Sequence, residues 1–384
     1  MLKGAWGAIL RGANAGPWNV RRPERLPHRR AYTRHAIGRC AGGHDVRIAI
    51  NGFGRIGRQA FRALLERQPQ AEVVGINELV DLETLAHLLR YDSNYGRFPG
   101  EVAVDGTDLV VNGCRVPTTS QREWDRLPWG ELGAQLVIEA TGVGTERARA
   151  ALHLDAGADR VLITAPATGA DLTLVMGVNH DRYDPAAHHV VSNASCTTNG
   201  LAPPLDTLHR AFGVRKGLMS TVHAYTASQA LVDGPAGDIR EARSAALSIV
   251  PTSTGAAKAI GLVIPELEGR MHGAAYRVPV PTVSIVEFVA HLERAASEAE
   301  VNDALREAAA GRLQGIMAIN DEPLVSVDLR GDPHSSIVEA ESTMAIGDDL
   351  VKVAAWYDNE WGYACRVADA AALVAAGTPA AAAV

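Results

Sequence analysis

Gly52, Gly54 and Gly57 constrain this chain most, because they stand between a short apolar run, Val46 to Ile50, and a helix-spaced apolar series at Ile56, Ala60, Phe61, Leu64 and Leu65. A strand, a glycine turn and a helix in that order make a GxGxxG unit. Glycine lets the backbone approach a pyrophosphate, and the helix N-terminus attracts its charge. A second apolar strand, Val73 to Ile76, follows, and Glu78 beyond it lies about 20 residues after the last glycine, where it can accept hydrogen bonds from an adenosine ribose. That spacing predicts a dinucleotide, and the carboxylate favours NAD because it would repel the extra phosphate of NADP. Further strands are expected at Leu136 to Ile138 and Val161 to Ile163, with a helical stretch from about Thr145 to Asp155 between them. The alternation predicts an α/β fold with a doubly wound parallel sheet.

With 384 residues, two domains are the natural division. After Cys196 the texture changes to longer strand-like runs, Leu218 to Tyr225, Ala274 to Val283 and Ile285 to Ala290, with helices near 197–211, 254–262 and 300–310. This predicts an α+β catalytic domain over 196–358. The NAD-binding domain is then 46–195 together with 359–384, whose helical spacing from Asn359 to about Ala376 allows it to pack back on the first sheet. The Ala-rich tail from Ala375 is expected to fray. Residues 1–45 are rich in arginine and poor in acids, as in an organellar transit peptide or a start assigned too far upstream, and are left out of the fold.

The net charge of −7 therefore understates how acidic the remainder is. Such a body does not indicate a nucleic-acid partner, and anions must be held by a few local cations and backbone amides. The four cysteines, Cys40, Cys114, Cys196 and Cys365, are far apart without a CxxC pair, which argues against a disulfide framework and against a metal site. No run approaches the ~18 apolar residues of a membrane span. A reducing, cytoplasmic setting fits, with organellar import only if 1–45 is a transit peptide.

Cys196 lies in Ser195-Cys196-Thr197-Thr198-Asn199, after the apolar strand His189 to Val191 and at the expected start of a helix. A thiol there meets the positive end of the helix dipole, which favours the thiolate. His223, near the end of a strand-like run, is a candidate proton-transfer partner.

NGFGRIG (51–57), SNASCTTN (192–199), TVHAYT (221–226), PTSTGAAKAIG (251–261), YRVPVPTVS (276–284), DPHSSIVEA (332–340) and WYDNEWGY (356–363) resemble, in order and spacing, the glyceraldehyde-3-phosphate dehydrogenase family. The resemblance covers about 46–375. It implies that Cys196 is the nucleophile of a thioester mechanism, with His223 raising its reactivity and accepting a proton. It implies a substrate-phosphate site at Thr226 and Arg277, and an inorganic-phosphate site at Ser195, Thr197, Thr254 and Gly255, with Arg277 near both. For the cofactor it implies Gly52, Gly54, Arg55, Ile56, Gly57 and Glu78, the cleft residues Thr141, Gly142 and Thr164, and Asn359 orienting the nicotinamide amide with Tyr363 close by. The implied reaction converts glyceraldehyde 3-phosphate and inorganic phosphate to 1,3-bisphosphoglycerate with NAD, in glycolysis or gluconeogenesis. The implied assembly is a homotetramer, in which the long 226–250 stretch packs between subunits. Pro235 matches NAD-selective members. Ile76 to Leu79, INEL, also resembles the erythrose-4-phosphate dehydrogenase branch, which resolves the thioester with water. A non-catalytic dinucleotide-binding protein is the remaining alternative. In the loop around Ile239 to Arg243, Glu241 stands where some relatives are basic, so Arg240 and Arg243 are weaker phosphate ligands than Arg277.

Overall fold

The computed structural model describes residues 46–347 and 349–377. Readings that concern 1–45, Cys40 included, and 378–384 lie outside them.

The first sheet grows from β1 (Val46–Asn51), whose Ile48, Ala49 and Ile50 are fully buried, as in a central parallel strand covered on both faces. The glycine turn follows, then α1 (Arg55–Arg67) and β2 (Ala71–Asn77). Next come α2 (Leu82–Arg90), capped by the Asp81 carboxylate, and a short ribbon of β3 (Tyr91–Asp92) and β4 (Gly96–Arg97). The antiparallel meander β5 (Val102–Asp105), β6 (Asp108–Val111) and β7 (Cys114–Thr119) is an addition to the predicted fold. Its second turn, Asn112-Gly113, has positive φ at both residues (54° and 84°), the geometry whose twist suits a two-residue hairpin. The unit closes with β8 (Leu136–Glu139), α3 (Arg147–Ala150), α4 (Leu152–Asp155), β9 (Arg160–Ile163), β10 (Leu172–Thr173) and β11 (Val190–Ser192). Strand order is β10-β11-β9-β8-β1-β2-β7-β6-β5, parallel from β10 to β7. The chain reverses its direction of winding between β1 and β8, which opens a crevice at their carboxyl ends.

The second sheet is mixed. It follows α5 (Cys196–Phe212) and contains β12 (Val214–Ala224), β13 (Val250–Thr252), β14 (Met271–Val278) and β15 (Ser284–Leu292), with α6 (Ala256–Val263) between β13 and β14. After α7 (Glu298–Ala310) come β16 (Met317–Asn320), β17 (Ser336–Glu339), β18 (Met344–Ile346) and β19 (Leu350–Tyr357). The order is β13-β14-β12-β15-β19-β17-β16, with β18 on β19. Every second residue of β15 is buried, so one face of the sheet meets the core built with α5, α6 and α7.

The last helix, α8 (Trp361–Ala376), packs its apolar face against Ile48, Ile50 and α1 in the core of the first sheet. Asp369 of α8 takes Arg366 at 2.5 Å and Arg67 of α1 at 3.2 Å.

Three expectations need correction. The strand predicted to reach Val283 stops at Val278, because Pro279 and Pro281 lack the amide a ladder needs and Val283 turns into the left-handed region at φ 67°. The single helix predicted over 145–155 is broken at Ala151. Ala375 is buried within α8 rather than frayed. Cys196 and Cys365 are free thiols.

Candidate active site

After β11 the chain turns through Ala194, which holds a left-handed φ of 55°, and enters α5 at Cys196. A non-glycine residue there is strained, and such strain collects where the surrounding structure must aim a functional group. Ser195 caps the helix, its Oγ accepting from Thr198 N at 3.0 Å. His223 sits one residue from the end of β12 and brings Nε2 to 3.5 Å from Cys196 Sγ. Because β12 pairs in parallel with β14, Arg277 lies beside His223 in register.

The Arg277 guanidinium touches His223 Nδ1 and donates to the Ala224 carbonyl at 3.2 Å, while its Nε is buried without a partner among the described residues. His223 Nδ1 is also 2.7 Å from that carbonyl. A guanidinium can only donate, so Nδ1 accepts while Arg277 lies against it; once Arg277 moves off, an Nδ1–H donated to Ala224 leaves Nε2 as a base facing the sulfur. Burial, reinforced by the Arg277 charge, pushes the imidazole down to about 3, so the ring is neutral at physiological pH. Burial pushes the Cys196 thiol up, which reverses the expected direction, although Arg277 and the Thr197 hydrogen bonds pull it down.

The implied anion residues divide by how free they are. Ser195 Oγ is engaged with Thr198, and Thr197 Oγ1 meets the Tyr357 hydroxyl at 3.0 Å. Thr254 Oγ1 accepts from Ala256 N at 3.2 Å, and Gly255 heads α6 with open space where a Cβ would stand. Thr226 Oγ1 touches Ser228 Oγ at 3.0 Å. Arg240 and Arg243 are taken by Asp238 and Asp233, and Glu241 accepts from Thr252 Oγ1, whereas the Arg277 charge acts on the thiol.

Around the glycine turn the geometry fits a dinucleotide. A Cβ on Gly52 would strike the Thr141 amide at 2.6 Å and one on Gly57 would strike the Gly52 carbonyl at 2.1 Å, whereas Gly54 faces open space. The N-terminus of α1 has no side-chain cap and no acid in its first turn, leaving its amides free for phosphate. Both Glu78 oxygens are already held, by Phe53 N at 2.8 Å and Leu79 N at 2.7 Å, so the carboxylate lies over the glycine turn. Ile56 is half-buried in the first turn of α1. Arg55 points elsewhere, pairing with Asp92 and Glu360, so only its backbone amide can meet the cofactor. Gly142 opens to the crevice with a φ of 78°; Thr141 is tied to the Glu139 carboxylate and Thr164 to the Glu139 carbonyl. Asn359 stands between β19 and α8, and Tyr363 donates to the Ala194 carbonyl at 3.0 Å, bracing the strained turn before the thiol.

Two family models match: "Glyceraldehyde 3-phosphate dehydrogenase, NAD binding domain" over 46–147 and "Glyceraldehyde 3-phosphate dehydrogenase, C-terminal domain" over 195–359. The glyceraldehyde-3-phosphate dehydrogenase of Geobacillus stearothermophilus is 55% identical over 330 residues, covering 86% of this chain and 98% of the relative. Glyceraldehyde-3-phosphate dehydrogenase 1 of Bacillus subtilis is 53% identical, and the Mycobacterium avium protein 52%, each with the same two coverages. This chain belongs to the glyceraldehyde-3-phosphate dehydrogenase family.

For a member of that family, three supports of the site escaped the sequence reading. Tyr357, fully buried, joins Thr197 on α5 to Thr221 on β12 through its hydroxyl, at 3.0 and 2.8 Å. Beneath the cofactor crevice, Glu139 accepts from Asn51, Thr141 and His153, while Trp129 Nε1 donates to His153 Nδ1 at 3.1 Å. An indole can only donate, so the imidazole proton sits on Nε2 and faces Glu139. Ser284 bridges β12 and Asn359. None carries a local pattern, since each works through partners far away in sequence. Among the described residues, no group of three or more His, Cys, Asp or Glu side chains is arranged to hold a metal, and no helix is long and apolar enough to cross a membrane.

Proposed function

We propose that the chain oxidises glyceraldehyde 3-phosphate to 1,3-bisphosphoglycerate with NAD and inorganic phosphate, through a thioester on Cys196. The observation that carries this reading is the 3.5 Å approach of His223 Nε2 to Cys196 Sγ at a helix N-terminus, with Arg277 alongside. Cys196 Sγ adds to the aldehyde carbon, forming a C–S bond and a hemithioacetal. His223 Nε2 takes the hydroxyl proton as the carbon is oxidised to the thioester. NAD, when bound, supplies the hydride acceptor. An oxygen of inorganic phosphate then attacks the thioester carbonyl; the C–S bond breaks, the acyl phosphate departs and the sulfur returns as thiolate. Arg277 holds anions through planar donors, and its unpartnered Nε gains an acceptor when one binds. An anion that draws Arg277 off Nδ1 also leaves that nitrogen to Ala224, which favours the basic Nε2.

The amides that begin α1, together with Gly52, Gly54 and Gly57, would hold the pyrophosphate. Glu78 would hold the ribose, and Thr141, Gly142, Thr164 and Asn359 would line the nicotinamide half. In this reading 46–195 and 359–384 form the NAD-binding domain and 196–358 the catalytic domain. We also place the protein in the cytoplasm as a homotetramer. Support for assembly comes from the 226–250 stretch, where Leu231, Val232, Ile239, Leu247 and Ile249 are all exposed, more aliphatic surface than one loop ordinarily leaves to water.

Cys196→Ser tests the reading. It should lose at least ~1000-fold in turnover, about 4 kcal/mol of transition-state stabilisation, while binding NAD as before. Turnover retained in this variant would remove the thioester.

A further inference from the structure

Ser284, the first residue of β15, is almost fully buried, and its hydroxyl has two partners on opposite sides of the site. It accepts from the backbone amide of Ala224, the neighbour of His223, at 3.0 Å. It also lies 3.0 Å from Asn359 Oδ1. An amide N–H can only donate, so the hydroxyl accepts from Ala224 and keeps its own proton, which it donates to the amide oxygen of Asn359. The nitrogen is thereby turned the other way: Asn359 Nδ2 has no hydrogen-bond partner among the described residues and is not sealed from solvent.

The segment that carries Ser284 is itself held in place. Val283 has a φ of 67°, a conformation that a β-branched residue adopts only when its surroundings impose it, and it is buried against Leu329 and Ile337. On its other side Thr282 Oγ1 donates to Asp358 Oδ1 at 2.8 Å. Residues 282 and 284 therefore grip 358 and 359 at two successive points. Asp358 is fixed further by Tyr95 Oη at 2.7 Å and by the Gly331 amide at 2.8 Å. Backbone strain placed one residue before a hydroxyl that aims a cleft amide serves orientation, since core packing alone needs neither the φ nor the hydroxyl.

We propose that Ser284 is a positioning residue that selects one of the two flip states of the Asn359 amide, so that an N–H donor faces the nicotinamide carboxamide. This rests on the reading that Asn359 meets that group. Without the hydroxyl the amide can turn over, and the ring loses its fixed orientation at the thiol.

The test compares NAD with ADP-ribose, which lacks the nicotinamide, by calorimetric titration of the full chain. Ser284→Ala should raise the Kd for NAD about tenfold and leave that for ADP-ribose within about twofold. With aldehyde deuterated at the reacting carbon, the variant should place label on both faces of the reduced ring, where the parent places it on one. If Ser284→Ala fails to fold, Ser284→Cys, of similar size and a poor donor, takes its place and should give the same split. Equal weakening of both ligands, or no change in either, would overturn the proposal. Asn359→Ala separates it from the reading beneath: an unchanged NAD to ADP-ribose ratio there removes Asn359 from the nicotinamide. A ratio that shifts in Asn359→Ala but not in Ser284→Ala removes only Ser284.

Discussion

At Cys196 two influences oppose one another. Burial favours the neutral thiol, whereas the Arg277 charge and the Thr197 hydrogen bonds favour the thiolate. Arg277 also disfavours protonated His223, so it lowers both groups at once. Its removal should therefore raise both. In Arg277→Leu, alkylation of Cys196 by iodoacetamide should move to higher pH and the His223 titration should rise from about 3 toward the ordinary imidazole range, with the apparent KM for aldehyde and phosphate both increased. An alkylation profile that stayed in place would show that Arg277 does not reach the thiol. Cys196 was legible as a candidate because SNASCTTN sets a cysteine at a helix start. His223 was legible as a candidate, but the parallel pairing of β12 with β14 sets it beside Arg277 and the packing of α5 brings the sulfur to it, and no local spacing encodes either. The raised thiol was not legible at all, since burial is a property of the packed site.

The elements that shape the cofactor crevice could be read almost directly. The glycines before α1 and the apolar runs of β1, β2, β8 and β9 have periods and lengths that leave few alternatives. The meander β5 to β7 is hard to read despite the hairpin signals Asp105-Gly106 and Asn112-Gly113, because β5 and β6 are only 4 residues each and β7 carries Pro117, which reads against a strand. At the end of β2, Glu78 has both oxygens anchored by Phe53 N and Leu79 N, which removes the freedom to swing aside that its length would otherwise give it. A phosphate on the adenosine ribose would then meet a fixed negative charge. At ~5 Å and an effective dielectric of ~20 the cost is about 3 kcal/mol before screening, on the order of 100-fold in affinity. Glu78→Ala should therefore gain NADP use relative to NAD, measured as the ratio of kcat/KM values. Equal use of the two cofactors by the parent, or no gain in the variant, would take selectivity away from Glu78.

At the scale of the molecule, the β12, β14 and loop surface exposes Leu218, Val222 and Tyr276 in addition to the aliphatic residues of 226–250. We expect light scattering to report a homotetramer; a stable, fully active monomer would contradict it. The sequence could not reveal this surface, because β12 alternates as any half-covered strand does and nothing in the alternation says whether water or another subunit lies outside. The central claim is that the thioester on Cys196 is resolved by inorganic phosphate. Its most direct measurement is steady-state NAD reduction with glyceraldehyde 3-phosphate and with erythrose 4-phosphate, each with and without inorganic phosphate. The account predicts fast turnover of the three-carbon substrate that collapses to a slow residual rate when phosphate is withheld. Turnover independent of phosphate, or a preference for the four-carbon aldehyde, would contradict it.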